Sequence, residues 1–238
     1  MLKGRLKAVM DLVPECRVAA DVATGDGRLA VALVQSGRAR RAIASDRTAG
    51  PLAAASRRVL AAGVQAAVEL RLGDGLEVLC PGEAEIIVIA GLGGETMAGI
   101  LERGQDIVGD CRRLVLQPLK DPSRVRRWLR RRDMRIACEE LVREAGRYYH
   151  VVAAEPGGPA PAWIRELGEL NDELGGWLIA HGHPLLPGLL DQKLGECRQV
   201  LGSLERAGIT ARRRWELRQA RLEEAERCWQ RSRQSWGS

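Results

Sequence analysis

Three aspartates in the first third of the chain sit among residues small enough to leave room around a carboxylate. Asp21 opens the run DVATGDGRLA, with Ala23, Gly25 and Gly27 behind it. Asp46 ends the apolar run RRAIASD, twenty-five residues later. Asp74 lies between Gly73 and Gly75 in RLGDGL. A fourth segment, Ala90-Gly91-Leu92-Gly93-Gly94-Glu95, places three glycines directly behind the apolar EIIVI. Small residues let the backbone turn sharply after a strand and approach a ligand closely. Asp21 then suits a cationic or hydroxyl-bearing group, and Asp46 suits a pair of ribose hydroxyls. Asp74 suits an exocyclic amino group of adenine.

Each of these features alone has a plain structural explanation: a tight turn, a helix N-cap acid, a type I turn or a packing turn. Together they narrow the ligand. The first segment formally contains G-x-G-x-x-A, which dinucleotide-binding folds use, and Asp46 suits NAD and S-adenosylmethionine equally. A dehydrogenase has no routine need of an acid at Asp74, so that residue favours S-adenosylmethionine. The residues expected around the cofactor are Asp21, Ala23, Gly25, Gly27, Asp46, Gly73, Asp74, Gly75, Ala90, Gly91 and Leu92.

The elements that must carry these residues follow from periodicity. Strands are expected at 17–23, 40–46, 67–73, 85–90 and 113–117, with helical patterns between them. Pro51 opens an Ala-rich helix that stops near Gly63. Asp121 and Pro122 open another, with Asp121 as N-cap. This alternation predicts βαβ units and a parallel sheet covered on both faces. The rhythm then changes. Residues 134–144 and 147–155 are two extended segments separated by Ala145-Gly146, and no helix fits between them, so they are expected to form a hairpin. The fold class is α/β: a mostly parallel, seven-stranded methyltransferase-like sheet with a terminal β-hairpin and a C-terminal helical hairpin. The domain boundary falls at the Pro/Gly linker, giving 1–156 and 157–238. Beyond it, Leu185, Leu189, Leu190, Leu194, Val200, Leu201 and Leu204 trace one helical stripe, and Trp215, Leu222, Ala225 and Trp229 a second, with Gly208 breaking the pattern.

The net charge of +6 is concentrated. Residues 120–135 hold eight basic and two acidic side chains, which equals the charge of the whole chain. Such a cluster serves either a polyanion or a solvated helix face. The six cysteines have no CxxC or CxxH spacing, and His181 and His183 have no partner acids at ligand spacing, so no metal is expected. The N-terminus lacks the apolar stretch of a signal peptide, and no run reaches the roughly 18–20 residues that cross a bilayer. A cytoplasmic protein with no membrane partner is expected, monomeric or weakly homo-oligomeric.

The ordered set RLGDGL, IAGLGG and LQP followed by VRRWL resembles the bacterial tRNA (adenine(22)-N(1))-methyltransferases, the TrmK family, with further likeness at 21–29, 43–51 and 139–149. The resemblance implies a class I S-adenosylmethionine-dependent methyltransferase acting on N1 of an adenine in tRNA, with a C-terminal coiled-coil-like domain that extends the tRNA surface. This chain departs from the pattern in two places. The family's D-x-G-[ST]-D-H-A-Y-L-P is here DVATGDGRLA, so the Asp of the Asp-His pair falls on Gly25 and its His on Asp26. The usual Asn after Gln-Pro is Leu119. Asp26, one residue from the family position, is then the candidate catalytic carboxylate. Arg28, Gln117, Arg124, Arg126, Arg127, Arg130 and Arg131 are the candidate substrate and RNA contacts. Two other readings stay open: a protein that binds cofactor and RNA without catalysis, and a methyltransferase with another acceptor.

Overall fold

A computed structural model describes residues 2–158, 167–204 and 209–235. Five parallel strands form the body of one sheet: β1 Cys16–Val22, β2 Ala39–Asp46, β3 Val68–Leu72, β4 Ile86–Leu92 and β5 Arg113–Pro118. Two antiparallel strands, β6 Met134–Glu144 and β7 Arg147–Pro156, complete it, and the spatial order is β3-β2-β1-β4-β5-β7-β6. The chain leaves β1 toward β2 on one side and returns to β4 on the other. The order therefore reverses between β1 and β4, and ligands of open α/β sheets bind outside the carboxyl ends at such a switch.

Helices cover both faces, as the continuous apolar run of β4 requires. Ile87 and Ile89 pack with Leu114 and Leu116 beneath α4 (Gly94–Arg103), α5 (Gln105–Gly109) and α6 (Pro122–Arg131). Ile86 and Val88 face the other way, toward α1 (Gly4–Asp11) and α2 (Arg28–Gln35), through Val9, Leu29 and Leu33. α3 (Ala49–Ala61) closes the β2–β3 end through Ala55 and Val59. Burying each large aliphatic side chain contributes about 1.5–3 kcal/mol, so this two-sided core fixes strand register. The expected hairpin forms. Ala145 and Gly146 both have positive φ, 49° and 76°, as a two-residue turn between twisted strands requires. Asp121 does precede α6, but it sits in the left-handed region (φ 53°) and its side chain makes no cap bond, contrary to the expected N-cap.

The chain divides into two compact units, residues 1–160 and 161–238. In the second unit, α7 (Glu169–Leu174) and α8 (Gly176–Ala180) precede a pair of long helices, α9 (Leu186–Ser203) and α10 (Ile209–Ser235). Leu186, Leu189, Leu190, Leu194 and Cys197 are the buried stripe of α9, and Leu222 and Ala225 are buried on α10. The expected break at Gly208 lies outside the described residues. No helix of the described residues is long and apolar enough to cross a membrane.

Candidate active site

Asp21 lies on β1, level with Val88 of β4 and Ala44 of β2, one residue before the strand ends at the switch point. It is only 3% exposed. The Thr24 hydroxyl donates to its Oδ2 at 2.6 Å, and the backbone N–H of Ala30 in the first turn of α2 also favours its charged form. These donors do not offset burial. Desolvation, with Asp26 and Asp46 nearby, pushes the carboxyl up to about 6. Among the described residues it forms no ion pair. A buried carboxylate held this way gains most from a cationic ligand.

Asp46 ends β2, where its Oδ2 accepts the backbone N–H of Gly25 at 3.2 Å and its Oδ1 accepts from Thr48 N–H and Oγ1 at 3.0 and 2.7 Å. The loop after β1 is thus tied to the end of β2, and Thr24 N–H adds a bond to Ser45 O at 2.8 Å. Next to Asp46 in register is Leu72 of β3, 62% exposed. It borders an open groove of about 490 Å³ that Arg71, Gly73, Asp74, Glu77 and Val78 complete. An acid with an apolar neighbour in one groove suits a purine: an amino group for Asp74 and a face for Leu72. Oδ2 of Asp74 is paired with Arg103 at 3.0 Å.

The glycines divide into two kinds. A Cβ added at Gly25 (φ +60°) or Gly91 (φ +80°) would meet nothing within 4 Å, so the loops there border open space while their backbone favours glycine. Gly91 is also the residue at which the β4–β5 register shifts, and a bulge of this kind re-aims a strand end. Gly73 and Gly75 are instead closed in by Val78 and Ile100, and Gly27 by Ala55. Ala23, where the first turn demands φ +58°, carries a strained backbone beside Asp21. Ala90 and Leu92 flank the bulge.

The loop after β5 is fastened to the β4 loop. Leu119 N–H donates to Leu92 O at 2.8 Å and Gly94 N–H to Lys120 O at 2.9 Å. Gln117, buried, donates from Nε2 to Pro118 O at 2.9 Å. A Cβ at Gly94 would overlap Asp121 O, a backbone atom that cannot step aside. Gly94→Ala is therefore expected to part the two loops, costing about 1–3 kcal/mol by overpacking. Thermal unfolding and turnover of the purified variant check this; wild-type values in both would show the contact to be slack.

Asp26 shares the first loop but is not bare. Its Oδ2 accepts from Arg58 at 2.8 Å and from Arg28 at 2.9 Å, and Arg58 also donates to Asp26 O at 2.8 Å. Of the basic helix α6, Arg124 pairs with Glu95 at 3.0 Å, Arg127 folds back on Ser123, and Arg130 and Arg131 are exposed. Arg126 corrects the expectation of a phosphate contact. It is 1% exposed, pairs with the fully buried Glu139 of β6 at 2.6 Å, and donates to Nδ1 of His150 on β7 at 2.8 Å. A guanidinium fixed inside the fold cannot meet a polyanion. Sequence reasoning missed Arg58, Thr24, Thr48 and Leu72. Only Leu72, an apolar residue directly before a Gly-flanked acid, left a local signal.

A family model described as "Methyltransferase domain" matches residues 2–152. The curated tRNA (adenine(22)-N(1))-methyltransferase of Bacillus subtilis (strain 168) is 38% identical over 156 residues, a match that spans 66% of each chain, slightly under two thirds of that relative. The crystal structure of the B. subtilis M1A22 tRNA methyltransferase TrmK is 30% identical, with a TM-score of 0.84 over 94% of this chain and 98% of that one. A Streptococcus pneumoniae protein, Sp1610, solved in complex with S-adenosyl-L-methionine, is 25% identical, with a TM-score of 0.83 over 94% of this chain and 99% of that one.

Proposed function

The chain belongs to the tRNA (adenine(22)-N(1))-methyltransferase family, and from that premise we propose that it moves a methyl group from S-adenosylmethionine to N1 of an adenine in tRNA. The observation that carries this reading is Asp21, a buried carboxylate without an ion partner among the described residues, at the switch point of the sheet. The residues present fit the cofactor. Asp21 holds its cationic amino acid end, Asp46 its ribose hydroxyls, and Asp74 with Leu72 its adenine. Gly25 and Gly91 leave space for it between the loops, with Ala23, Gly27, Gly73, Gly75, Ala90 and Leu92 shaping their turns.

When bound, S-adenosylmethionine supplies an electrophilic methyl on a sulfonium. The N1 lone pair of adenine is already nucleophilic, so the chain needs no general base. What the chain must do is hold the acceptor in line and stabilise the ring as it becomes cationic. We assign the second task to Asp26. Two guanidinium groups on its Oδ2 blunt its potential, so its contribution is partial. Asp26→Asn, which keeps acceptors for Arg58 and Arg28, is expected to lower the single-turnover rate roughly 10-fold, with cofactor affinity held. An unchanged rate would remove Asp26 from the mechanism.

Acceptor RNA has to expose the base, since N1 is occupied in a paired stack. Gln117 keeps the post-β5 loop in shape, and Arg28, Arg124, Arg127, Arg130 and Arg131 offer positive charge to phosphates. We assign the second unit to tRNA as well, because α10 displays Arg213, Arg214, Arg221, Arg227 and Arg231 on its surface. The setting is the cytoplasm, where tRNA resides, and the active species is a monomer or weak homo-oligomer.

The deciding experiment incubates the protein with unmodified tRNA and S-adenosylmethionine and maps the product by mass spectrometry. 1-Methyladenosine at position 22 is the expected result. Methyl on another nucleotide would change the acceptor, and no incorporation would leave only a binding protein.

A further inference from the structure

Most cations near the carboxyl rim are already neutralised. Arg28 and Arg58 share Asp26, Arg103 holds Asp74 and Arg124 holds Glu95. Lys120 differs. It is exposed and forms no ion pair among the described residues. Its alkyl stem lies across Gly93 of the β4 loop: a Cβ added there would be 3.2 Å from Lys120 Cε and 3.7 Å from Cγ. A side chain in place of that glycine hydrogen would push the stem away. Beside it, Leu119 is 44% exposed, in a molecule whose other large aliphatic residues are mostly buried. The backbone of both residues is fixed by the bonds to Leu92 and Gly94, so the pair is presented on a firm base.

A nucleotide turned out of an RNA stack brings an apolar ring face and an anionic phosphate, separated by its sugar. An exposed leucine and an unpaired ammonium on consecutive residues match those two chemistries, and the stem of a lysine packs along a surface while its head stays in water. We infer that Leu119 and Lys120 clamp the target nucleotide, Leu119 against the face of the base and Lys120 on a flanking phosphate. Leu119 has no donor or acceptor, so it contributes contact without reading a base edge. The clamp rests on the proposed RNA methyl transfer and adds the residues that seat the acceptor.

The test compares Lys120→Gln, Lys120→Arg and Leu119→Ala with wild type in tRNA binding as a function of salt, in steady-state methyl transfer, and in calorimetry with S-adenosylmethionine. Lys120→Gln is expected to raise KM for tRNA about 5–20-fold and to reduce the slope of log K against log salt by about 0.7–0.9, the value of one phosphate contact. Lys120→Arg restores the slope. Leu119→Ala lowers kcat/KM for tRNA about 5–10-fold and leaves the salt slope alone, as loss of an apolar contact does. Cofactor affinity stays at wild type in all three. An active wild type with Lys120→Gln at the same slope and KM, or Leu119→Ala at the same kcat/KM, overturns the clamp alone. A wild type that neither binds nor methylates tRNA overturns the proposed function, and the clamp with it.

Discussion

Asp21→Asn is expected to make the ligand-free protein more stable by about 2–3 kcal/mol at pH 8 while costing at least about 100-fold in affinity for S-adenosylmethionine. Burial raises the Asp21 carboxyl from 3.8 to about 6, so the folded state prefers the neutral acid. The stability that this preference contributes is complete below about pH 4. It falls as pH rises toward 6 and is gone above it, because the folded protein must then hold a buried charge. A difference of about two pKa units corresponds to about 3 kcal/mol. Asparagine has the neutral group's shape and never ionises, so the variant keeps at pH 8 what wild type has lost. The cationic ligand reverses the balance, since it favours the ionised form. Cofactor affinity in wild type should therefore weaken below about pH 6, as Asp21 takes up a proton. Chemical denaturation from pH 4 to 8 and calorimetry with S-adenosylmethionine measure both halves. Equal cofactor affinity in the variant would remove Asp21 from the site.

Arg126→Ala is expected to cost about 3–5 kcal/mol of folding stability, the range for leaving one member of a buried ion pair alone. Glu139 would be left at zero exposure without its guanidinium partner, and His150 Nδ1 would lose a donor. An arginine only donates, so Nδ1 accepts here and the imidazole is neutral with its proton on Nε2. The triad joins α6 to both strands of the terminal hairpin, so the loss reaches the packing of β6 and β7. Arg131→Ala, at the exposed end of the same helix, is the control and should stay within about 0.5 kcal/mol. Urea unfolding of the two variants decides the matter. Equal midpoints would mean that Arg126 bears no more structural load than a surface arginine.

The sheet was legible because its parallel strands are short apolar runs ended by an acid, a glycine or a proline, and because no helix fits between 134–144 and 147–155. The acids were legible for the same reason: each ends or follows a strand, and parallel strands bring their carboxyl ends to one rim. What local pattern could not supply was pairing across the fold. Arg126 stands in a run of arginines and reads as solvent-facing, yet it lies one residue from the buried Val125 and three before the buried Leu129. Its partners, thirteen and twenty-four residues on, are placed beside it by the hairpin. Arg58 reaches Asp26 from thirty-two residues away, on a helix chosen for its alanines. The helix α1 was also missed, although Leu6, Val9 and Val13 fall at helical steps, because interleaved charges hid a stripe of which Val9 and Val13 are fully buried.

A crystal structure of the protein grown with S-adenosylmethionine tests the central claim most directly. It should show the adenosyl group at the carboxyl rim, with the ribose hydroxyls on Asp46, the adenine amino group toward Asp74 and the ammonium end toward Asp21. A rim without ligand at saturating cofactor, or a ligand seated elsewhere on the chain, would contradict the account.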